Sequence, residues 1–200
     1  MNETVDGAPK GRGRPRSETA RKAILAAAAD LMLEHGLDTA SMDEIAQHAG
    51  VSKATIYRWW PTKETLALDA LYGEWDTGTP EPADTGSLRS GLLALLRPWI
   101  RQLRTRPYGR VLAALITEAR TDPEFAKEYQ AHFVELRRDP ARIVFQRAID
   151  RGEIPADSDI DLALDLIYGP VYHRLLHGHA PLNDRFVQEV VETVLRGLSP

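Results

Sequence analysis

The chain has 200 residues, of which 43% are apolar and 27% charged, a composition typical of globular proteins with one or two small domains. Its apolar runs are too short to cross a bilayer, its N-terminus is polar, and it contains no cysteine. These features argue against a membrane partner, disulfides, thiolate catalysis and cysteine-ligated zinc, and we expect a cytoplasmic protein.

Basic residues are concentrated near the start of the chain, although the net charge is −4. Residues 64–200 hold 16 Lys and Arg against 21 Asp and Glu, whereas residues 1–16 contain the motif GRGRPR and no apolar periodicity. We predict that residues 1–16 form a disordered basic arm. Its Arg12, Arg14 and Arg16 can enter an A·T-rich minor groove, although a solubilising charge run is the alternative.

The first predicted helix follows this arm. Ser17 can cap its start, an apolar stripe from Ile24 to Met32 can be buried, and Gly36 can end it.

Residues 41–63 then predict a helix-turn-helix. Ser41 and Glu44 have capping-box spacing, and Gly50 can adopt the left-handed conformation that ends a helix. Ser52 can cap a third helix over residues 53–60, which Pro61 would stop. Two short helices joined by a tight glycine turn place the second helix in the major groove of DNA.

The third helix is expected to turn Ala54, Ile56 and Trp60 toward the core. Its other side chains would face outward, and they are Lys53, Thr55, Tyr57, Arg58 and Trp59. Such cations, hydroxyls and aromatic donors suit phosphates and base edges, and Lys63 can hold a phosphate at the start of the next helix. The alternative is a solvated amphipathic helix with aromatic core residues.

The rest of the chain also predicts helices. Thr62 can cap a fourth helix to about residue 75, and the Pro- and Gly-rich segment 76–86 predicts a loop. Further helices are expected at 88–103, 108–121 (apolar nearly all round), 123–151 with a kink or break at Pro140, 160–177 and 185–198. We therefore predict an all-α fold, with a helix-turn-helix DNA-binding domain at 17–63 and a helical regulatory and dimerisation domain at 64–200.

Residues 17–72 resemble the TetR-type (tetracycline repressor family) transcriptional regulators. The matching positions are Ala46, Gly50, Val51, Ser52, Thr55, Ile56, Tyr57, Trp60, Lys63 and Glu64. The resemblance implies DNA contacts from Lys53, Ala54, Thr55 and Tyr57 and a phosphate contact from Lys63. Trp59 departs from the family's usual His. The complete predicted DNA-binding set is Arg12, Arg14, Arg16, Ser41, Ser52, Lys53, Ala54, Thr55, Tyr57, Arg58, Trp59 and Lys63.

The resemblance also implies an inducer pocket among the middle helices and a two-fold interface between the last two long helices. Aromatic side chains with polar handles suit such a pocket. The predicted ligand-binding residues are Trp99, Leu103, Leu112, Ile116, Tyr129, Phe133, Tyr168, Tyr172 and His173. The predicted dimer residues are Leu164, Ile167, Val171, Leu175, Val187, Val190, Val191, Val194, Leu195 and Leu198.

Two clusters raise the question of a metal. His173, His177 and His179 have a spacing that could supply ligands, but no cysteine or HExxH acid supports them, and we expect no metal and no cofactor. Asp157, Asp159 and Asp161 resemble the start of a calcium loop without its required Gly and Glu, so they predict a capped helix start.

The sequence as a whole predicts a DNA-binding regulator rather than an enzyme. The expected protein is a homodimeric repressor that binds a pseudo-palindromic double-stranded operator and is released by a small, largely apolar ligand. An architectural, nucleoid-type protein without a ligand switch is the alternative.

Overall fold

The computed structural model describes residues 14–75, 81–105 and 108–198, and these residues contain helices and connecting turns but no β-strand. The prediction of an all-α fold is therefore confirmed. The helices are α1 (Arg14–His35), α2 (Met42–Ala49), α3 (Lys53–Tyr57), α4 (Lys63–Trp75), α5 (Leu88–Thr105), α6 (Tyr108–Thr121), α7 (Pro123–Tyr129), α8 (Leu136–Asp150), α9 (Ile160–His177) and α10 (Asp184–Leu198).

Helices α1 to α4 form a compact N-terminal unit, which we call the head. Helix α1 packs against α2 and α4, and α2 packs against α3. Ile24, Ile45, Ile56 and Leu66 are completely buried between these helices. Burial of each such side chain stabilises the head by about 1.5–3 kcal/mol, and Ile56 is the buried residue through which the very short α3 joins this core.

Helix α1 begins at Arg14, three residues before Ser17, so the prediction that Ser17 caps this helix is wrong. Pro15 falls in the first helical turn, where a missing N–H costs no hydrogen bond. Residues 14–16 are thus helical rather than part of an extended arm. The remaining predicted arm, residues 1–13 including Arg12, lies outside the described residues.

Helix α3 is shorter than predicted, since it ends at Tyr57. The backbone then makes a tighter turn of the 3₁₀ type, in which the Trp59 N–H donates to the Ile56 carbonyl oxygen at 2.9 Å. The residue before a proline avoids the helical region, which explains why Trp60 lies outside the helix.

The remaining helices, α5 to α10, form the body. Helix α5 packs against α8 and α10, and α9 packs against α6, α8 and α10. Helix α6 buries Tyr108, Val111, Leu112 and Leu115, but Arg110, Thr117 and Arg120 are exposed. It therefore has an exposed polar side, which the prediction of a helix apolar nearly all round did not include.

The predicted break at Pro140 is wrong, because α8 continues through this proline, whereas the alternative of a kink there stays a prediction. The irregular segment comes earlier, where residues Gln130–Glu135 form a π-helical turn between α7 and α8. We call Gln130–Glu135 the π segment. Such wide turns are rare in helical proteins and are often found at functional sites.

Helix α4 connects the head to the body. It packs against α1 on one side and against α6, α7 and the π segment on the other. None of the helices in the described ranges combines the length and the apolar content needed to cross a bilayer.

Candidate nucleic-acid interface and cavity

The start of α2 is fixed by the predicted capping box. The Ser41 hydroxyl accepts the Glu44 N–H at 3.2 Å, and the Glu44 carboxylate accepts the Ser41 N–H at 3.0 Å. These hydrogen bonds from Ser41 hold the pKa of Glu44 below its usual range. Gly50 ends α2 with φ +65°, so the predicted turn before α3 is confirmed.

Helix α3 presents a polar outer face beside this turn. Ser52 caps it by accepting the Thr55 N–H at 3.2 Å, and Ile56 turns inward. Lys53, Ala54 and Arg58 are exposed, and Tyr57 is 47% exposed. The prediction that Ala54 is buried is wrong, because one turn of helix has only a narrow inner face and Ile56 occupies it.

Trp59 does not face outward as predicted. It is half-buried and its ring lies 6.2 Å from that of Trp60. Its indole nitrogen is buried, and no described residue accepts a hydrogen bond from it. In this conformation the indole N–H is not accessible to a DNA phosphate.

A polar network that the sequence did not reveal locks the end of α3 to α1 and α4. The buried Trp60 donates its indole N–H to Asp69 at 2.8 Å, and Arg21 donates to the same carboxylate at 3.4 Å. The Arg21 guanidinium also lies 5.8 Å from the Trp60 ring centroid. Because Arg21, Trp60 and Asp69 are on three different elements, sequence spacing could not show that they meet.

Both lysines of the predicted interface already have partners. Lys53 pairs with Asp43 at 2.8 Å, and that hydrogen bond raises the pKa of Lys53. The half-buried Lys63 donates to the Asp38 carbonyl oxygen at 3.3 Å. Each ammonium group can donate three hydrogen bonds, so these contacts orient the lysines and leave capacity for a phosphate.

The charge balance of the head limits how strongly it can attract DNA by itself. Residues 17–63 carry five Lys and Arg and six Asp and Glu. The basic residues at positions 10–16 therefore supply most of the excess positive charge at this end of the chain. Of these, Arg14 and Arg16 lie in the first turn of α1.

The body contains a cavity of about 310 Å³. It is lined by Ile116, Tyr129, Val134, Arg137, Arg138, Asp165, Tyr168, Gly169 and Tyr172. Four of the nine residues predicted to bind a ligand are among them. Two others support the wall from behind, because Trp99 makes an edge contact with Tyr168 at 5.5 Å and Phe133 stacks on Tyr129 at 5.1 Å.

The other three predicted ligand-binding residues do not line this cavity. Leu103 and Leu112 are buried in the core, and His173 is exposed. Sequence reasoning also missed the polar part of the wall, namely Arg137, Arg138 and Asp165. In the sequence these charged residues have the ordinary pattern of a solvated helix face.

The predicted dimer residues are mostly used inside the subunit. Leu164, Ile167, Val171, Val187, Val191 and Val194 are buried in the core, and Leu175, Val190, Leu195 and Leu198 are half-buried. The apolar stripe of α10 thus packs on α5 and α9 of its own chain. The large apolar residues exposed on α9 are instead Leu162, Leu166 and Leu176, which are 54%, 53% and 42% exposed.

Leu162 and Leu166 belong to a shallow groove between α9 and α10. The groove has a volume of about 490 Å³ and also includes Pro170, Val190, Thr193 and Gly197. Its apolar lining makes it a candidate for an interface with another molecule.

The three histidines lie close together at the end of α9. The ring of His173 is 4.6 Å from that of His177 and 4.9 Å from that of His179, and all three residues are exposed. Among the described residues, no group of three or more His, Cys, Asp or Glu side chains is placed to hold a metal ion. Asp159 accepts the Leu162 N–H at 3.0 Å, so the predicted aspartate cap of α9 is confirmed.

Comparisons with known proteins agree with this geometry. Residues 24–70 match the model for bacterial regulatory proteins of the tetR family, and residues 82–194 match that for the tetracyclin repressor-like C-terminal domain. The HTH-type transcriptional regulator YdeS of Bacillus subtilis, itself uncharacterized, is 39% identical over 187 residues, which cover 94% of this chain and 93% of YdeS.

Two further relatives cover nearly the whole chain. The DNA-binding transcriptional repressor TetR of Mycobacteroides abscessus is 33% identical over 180 residues, covering 90% of this chain and 94% of that repressor. The crystal structure of the TetR family transcription regulator SCO0332 superposes with a TM-score of 0.76 and 36% identity, covering 90% of this chain and 99% of that one.

Proposed function

Because the chain belongs to the TetR family of transcriptional regulators, we propose that it is a homodimeric repressor that a small molecule releases from a pseudo-palindromic operator. The observation that carries this proposal is the outer face of α3. Lys53, Ala54, Tyr57 and Arg58 are exposed there on a helix whose start and end are both fixed. Such a face can enter a major groove without rearrangement of the head.

Dimerisation follows from how little DNA one head can contact. Helix α3 has five residues, so it can read only a few base pairs. Two heads held one helical turn of DNA apart double these contacts.

We propose that a second copy of the chain covers the α9–α10 groove, since two exposed leucines one turn apart lose an unfavourable contact with water when they are buried.

Release requires a path from the cavity to the head, and α4 provides one. Tyr129 and Val134 of the cavity wall lie at the end of α7 and in the π segment, and both elements pack against α4. Helix α4 in turn packs against α1 in the head. A ligand that binds one arrangement of this wall more tightly would shift the position of α4, and with it the spacing of the two heads.

An architectural, sequence-independent DNA-binding role is less well supported. Such binding depends on the phosphate charge and needs a strongly basic surface. The head has one more acidic than basic residue between positions 17 and 63. The relatives named above are transcriptional regulators, and neither their names nor the site indicates an enzyme.

The test is to incubate the purified protein with fragmented chromosomal DNA of its source and to sequence the retained fragments. We expect few fragments, with a shared inverted repeat, that resist competition by unrelated DNA. Lys53→Ala protein is the matched control and should retain the same fragments less well. Uniform retention of all fragments would support the architectural role, and no retention at all would refute both.

A further inference from the structure

Two tyrosine hydroxyls in the wall of the cavity, those of Tyr129 and Tyr172, have no hydrogen-bond partner among the described residues. Neither oxygen is among the enclosed polar atoms of the structure, so each hydroxyl reaches accessible space, which for residues of this wall is the cavity. The third tyrosine of the wall differs, because the Tyr168 hydroxyl donates to the Arg137 carbonyl oxygen at 2.8 Å. Within the described wall, two O–H donors therefore lack an acceptor and the third has one in the backbone.

Both of these hydroxyls keep their protons at physiological pH. Burial raises the pKa of Tyr129 and that of Tyr172 above the ordinary value of 10. The neighbouring Tyr172 raises the pKa of Tyr129 further, an electrostatic effect that requires the two hydroxyls to lie in the same part of the cavity. Each hydroxyl is thus a neutral donor, and one ligand can contact both.

The rings that carry these hydroxyls are held by aromatic neighbours. Tyr129 stacks on Phe133 with ring centroids 5.1 Å apart, and Tyr172 makes an edge contact with Trp99 at 5.8 Å. The positions of the two hydroxyls are therefore set before a ligand enters, which reduces the conformational entropy lost on binding.

The charged groups of the wall are engaged within the protein. Arg138 donates to the carboxylate of Asp165, which lines the cavity as well. The guanidinium of Arg137 is turned toward the rings of Trp99 and Phe133, which lie outside the lining. The unmet hydrogen-bonding capacity of the described wall is thus that of the two tyrosine donors, and it calls for an acceptor rather than for a charge.

These donors determine which ligands lose least when they enter. Water can accept from both hydroxyls, but a molecule that displaces water without offering an acceptor leaves buried O–H groups unsatisfied. A carbonyl oxygen has two lone pairs and brings no proton of its own. A hydroxyl of the ligand would bring a further O–H that itself needs an acceptor. The site therefore favours a carbonyl compound over a hydrocarbon of the same shape.

We propose that this cavity binds a neutral aromatic carbonyl compound whose carbonyl oxygen accepts hydrogen bonds from Tyr129 and Tyr172. Its apolar body lies against Ile116 and Val134 of the same wall. A volume of about 310 Å³ is at the lower end of the range for small-molecule sites, which suits a compact ligand. This inference rests on the ligand-responsive function proposed above, and it adds one acceptor group to the largely apolar ligand that the sequence predicts.

The experiment compares ketones with hydrocarbons or ethers of the same skeleton. The probes are 1-indanone, 1-tetralone, 4-chromanone and flavanone, paired with indane, tetralin, chromane and flavan respectively. Binding to the full-length protein is measured by calorimetry and thermal shift, up to the solubility of each compound. For at least one pair we expect the ketone to bind about tenfold more tightly than its partner. If every partner binds as well as its ketone, or if no ketone binds, the inference is wrong.

Variants then assign the preference to the two hydroxyls. Tyr129→Phe and Tyr172→Phe should each reduce the preference for the ketone about threefold, and the double variant should abolish it without weakening the binding of the hydrocarbon. Both variants should fold, since each removes a hydroxyl that no described residue contacts by a hydrogen bond.

Tyr168→Phe is the matched control, because Tyr168 lines the same cavity but its hydroxyl already donates to the backbone. It should lower the melting temperature and keep the preference for the ketone. A double Phe variant of Tyr129 and Tyr172 that loses stability but keeps the preference would show that these tyrosines are only structural. That result, or loss of the preference in Tyr168→Phe alone, would overturn the inference.

Operator binding separates this inference from the proposed function. A ketone that binds through Tyr129 and Tyr172 without weakening operator binding would support the chemistry of the cavity and contradict the ligand switch. A hydrocarbon that releases DNA as well as its ketone, and equally from wild-type and double-variant protein, would do the reverse.

Discussion

The head and the body place their candidate functional residues in different ways. In the head, the exposed face of α3, the caps of α2 and α3 and the glycine turn all lie between Ser41 and Lys63. In the body, one cavity is assembled from α6, the end of α7, the π segment, α8 and α9, which are separated by more than fifty residues of chain. A site made from one continuous segment depends on local hydrogen bonds, whereas the cavity exists only once distant helices have packed.

This difference has a consequence for how each site can respond. The head is held by short-range caps and by the Arg21, Trp60 and Asp69 network, so we expect it to move as a unit. The cavity wall includes the π segment, where helical geometry is already interrupted. A switch is therefore expected to act by changing the packing of the body and carrying an intact head with it.

The largest expected effect comes from changing the exposed apolar surface of the body, without altering the outer face of α3 or the cavity. Replacing Leu162 and Leu166 with Glu should give a folded monomer whose operator affinity falls by about a hundredfold or more, because one head loses its partner's contacts. Analytical ultracentrifugation and a binding titration measure both effects.

Val191→Glu is the informative contrast, since Val191 is completely buried in the subunit. An isolated charge there should unfold the body rather than simply separate two subunits. A stable dimer of the Leu162/Leu166 variant would place the interface elsewhere.

The second effect concerns the charge of the head. Removing residues 1–13, which include Lys10 and Arg12 but leave α1 complete, should lower operator affinity about tenfold and reduce the salt slope by up to about two units. The melting temperature should not change. If Lys10→Ala/Arg12→Ala protein keeps full affinity while the truncation loses it, something other than charge is responsible.

The third effect separates contact with DNA from packing within the head. Tyr57→Phe removes a hydroxyl from a 47% exposed side chain and should weaken operator binding by about 1 kcal/mol with no loss of stability. Trp60→Phe is the matched change on the buried side, because it removes the hydrogen bond to Asp69. It should lower the free energy of unfolding by about 1 kcal/mol. Equal loss of stability in both variants would mean that Tyr57 also supports the fold.

The smallest expected effect concerns how the stability of the head depends on pH. The pKa of Glu44 is held below its ordinary value of 4.5 in the folded head, so the ionised carboxylate stabilises the capping box. This contribution is fully present above that ordinary value and is lost as the pH falls through the lower folded-state pKa. Glu44→Gln should therefore lower stability slightly at neutral pH and reduce the acid sensitivity of the head, as measured by thermal unfolding between pH 3 and 7 (about the range over which carboxylates titrate). An unchanged pH profile would show that the ionised Glu44 carboxylate adds nothing to the stability of the head.

Local sequence determined most of the head. The capping box at Ser41, the glycine turn at Gly50 and the cap at Ser52 are interactions between residues three or four apart, and the structure has them as the sequence predicts. The helices of the body were predictable for the same reason, since burial of one face imposes a helical period on the apolar residues. The errors inside these elements had two causes. A one-turn helix has only a narrow inner face, which left Ala54 exposed, whereas Trp59 lies against Arg21 of α1, a neighbour that spacing does not reveal.

Tertiary structure alone decided which apolar faces meet each other and which charges enter the body. The stripe of α10 could pack on a second subunit or on its own chain, and Val187, Val191 and Val194 are buried within the chain, whereas Leu162 and Leu166 of α9 remain exposed. Arg137 and Arg138 are adjacent in sequence, but Arg138 pairs with carboxylates of α9, whereas Arg137 lies against Trp99 of α5. The free energy of a buried charge depends on groups that come together only in the folded chain, so no local pattern distinguishes these two arginines.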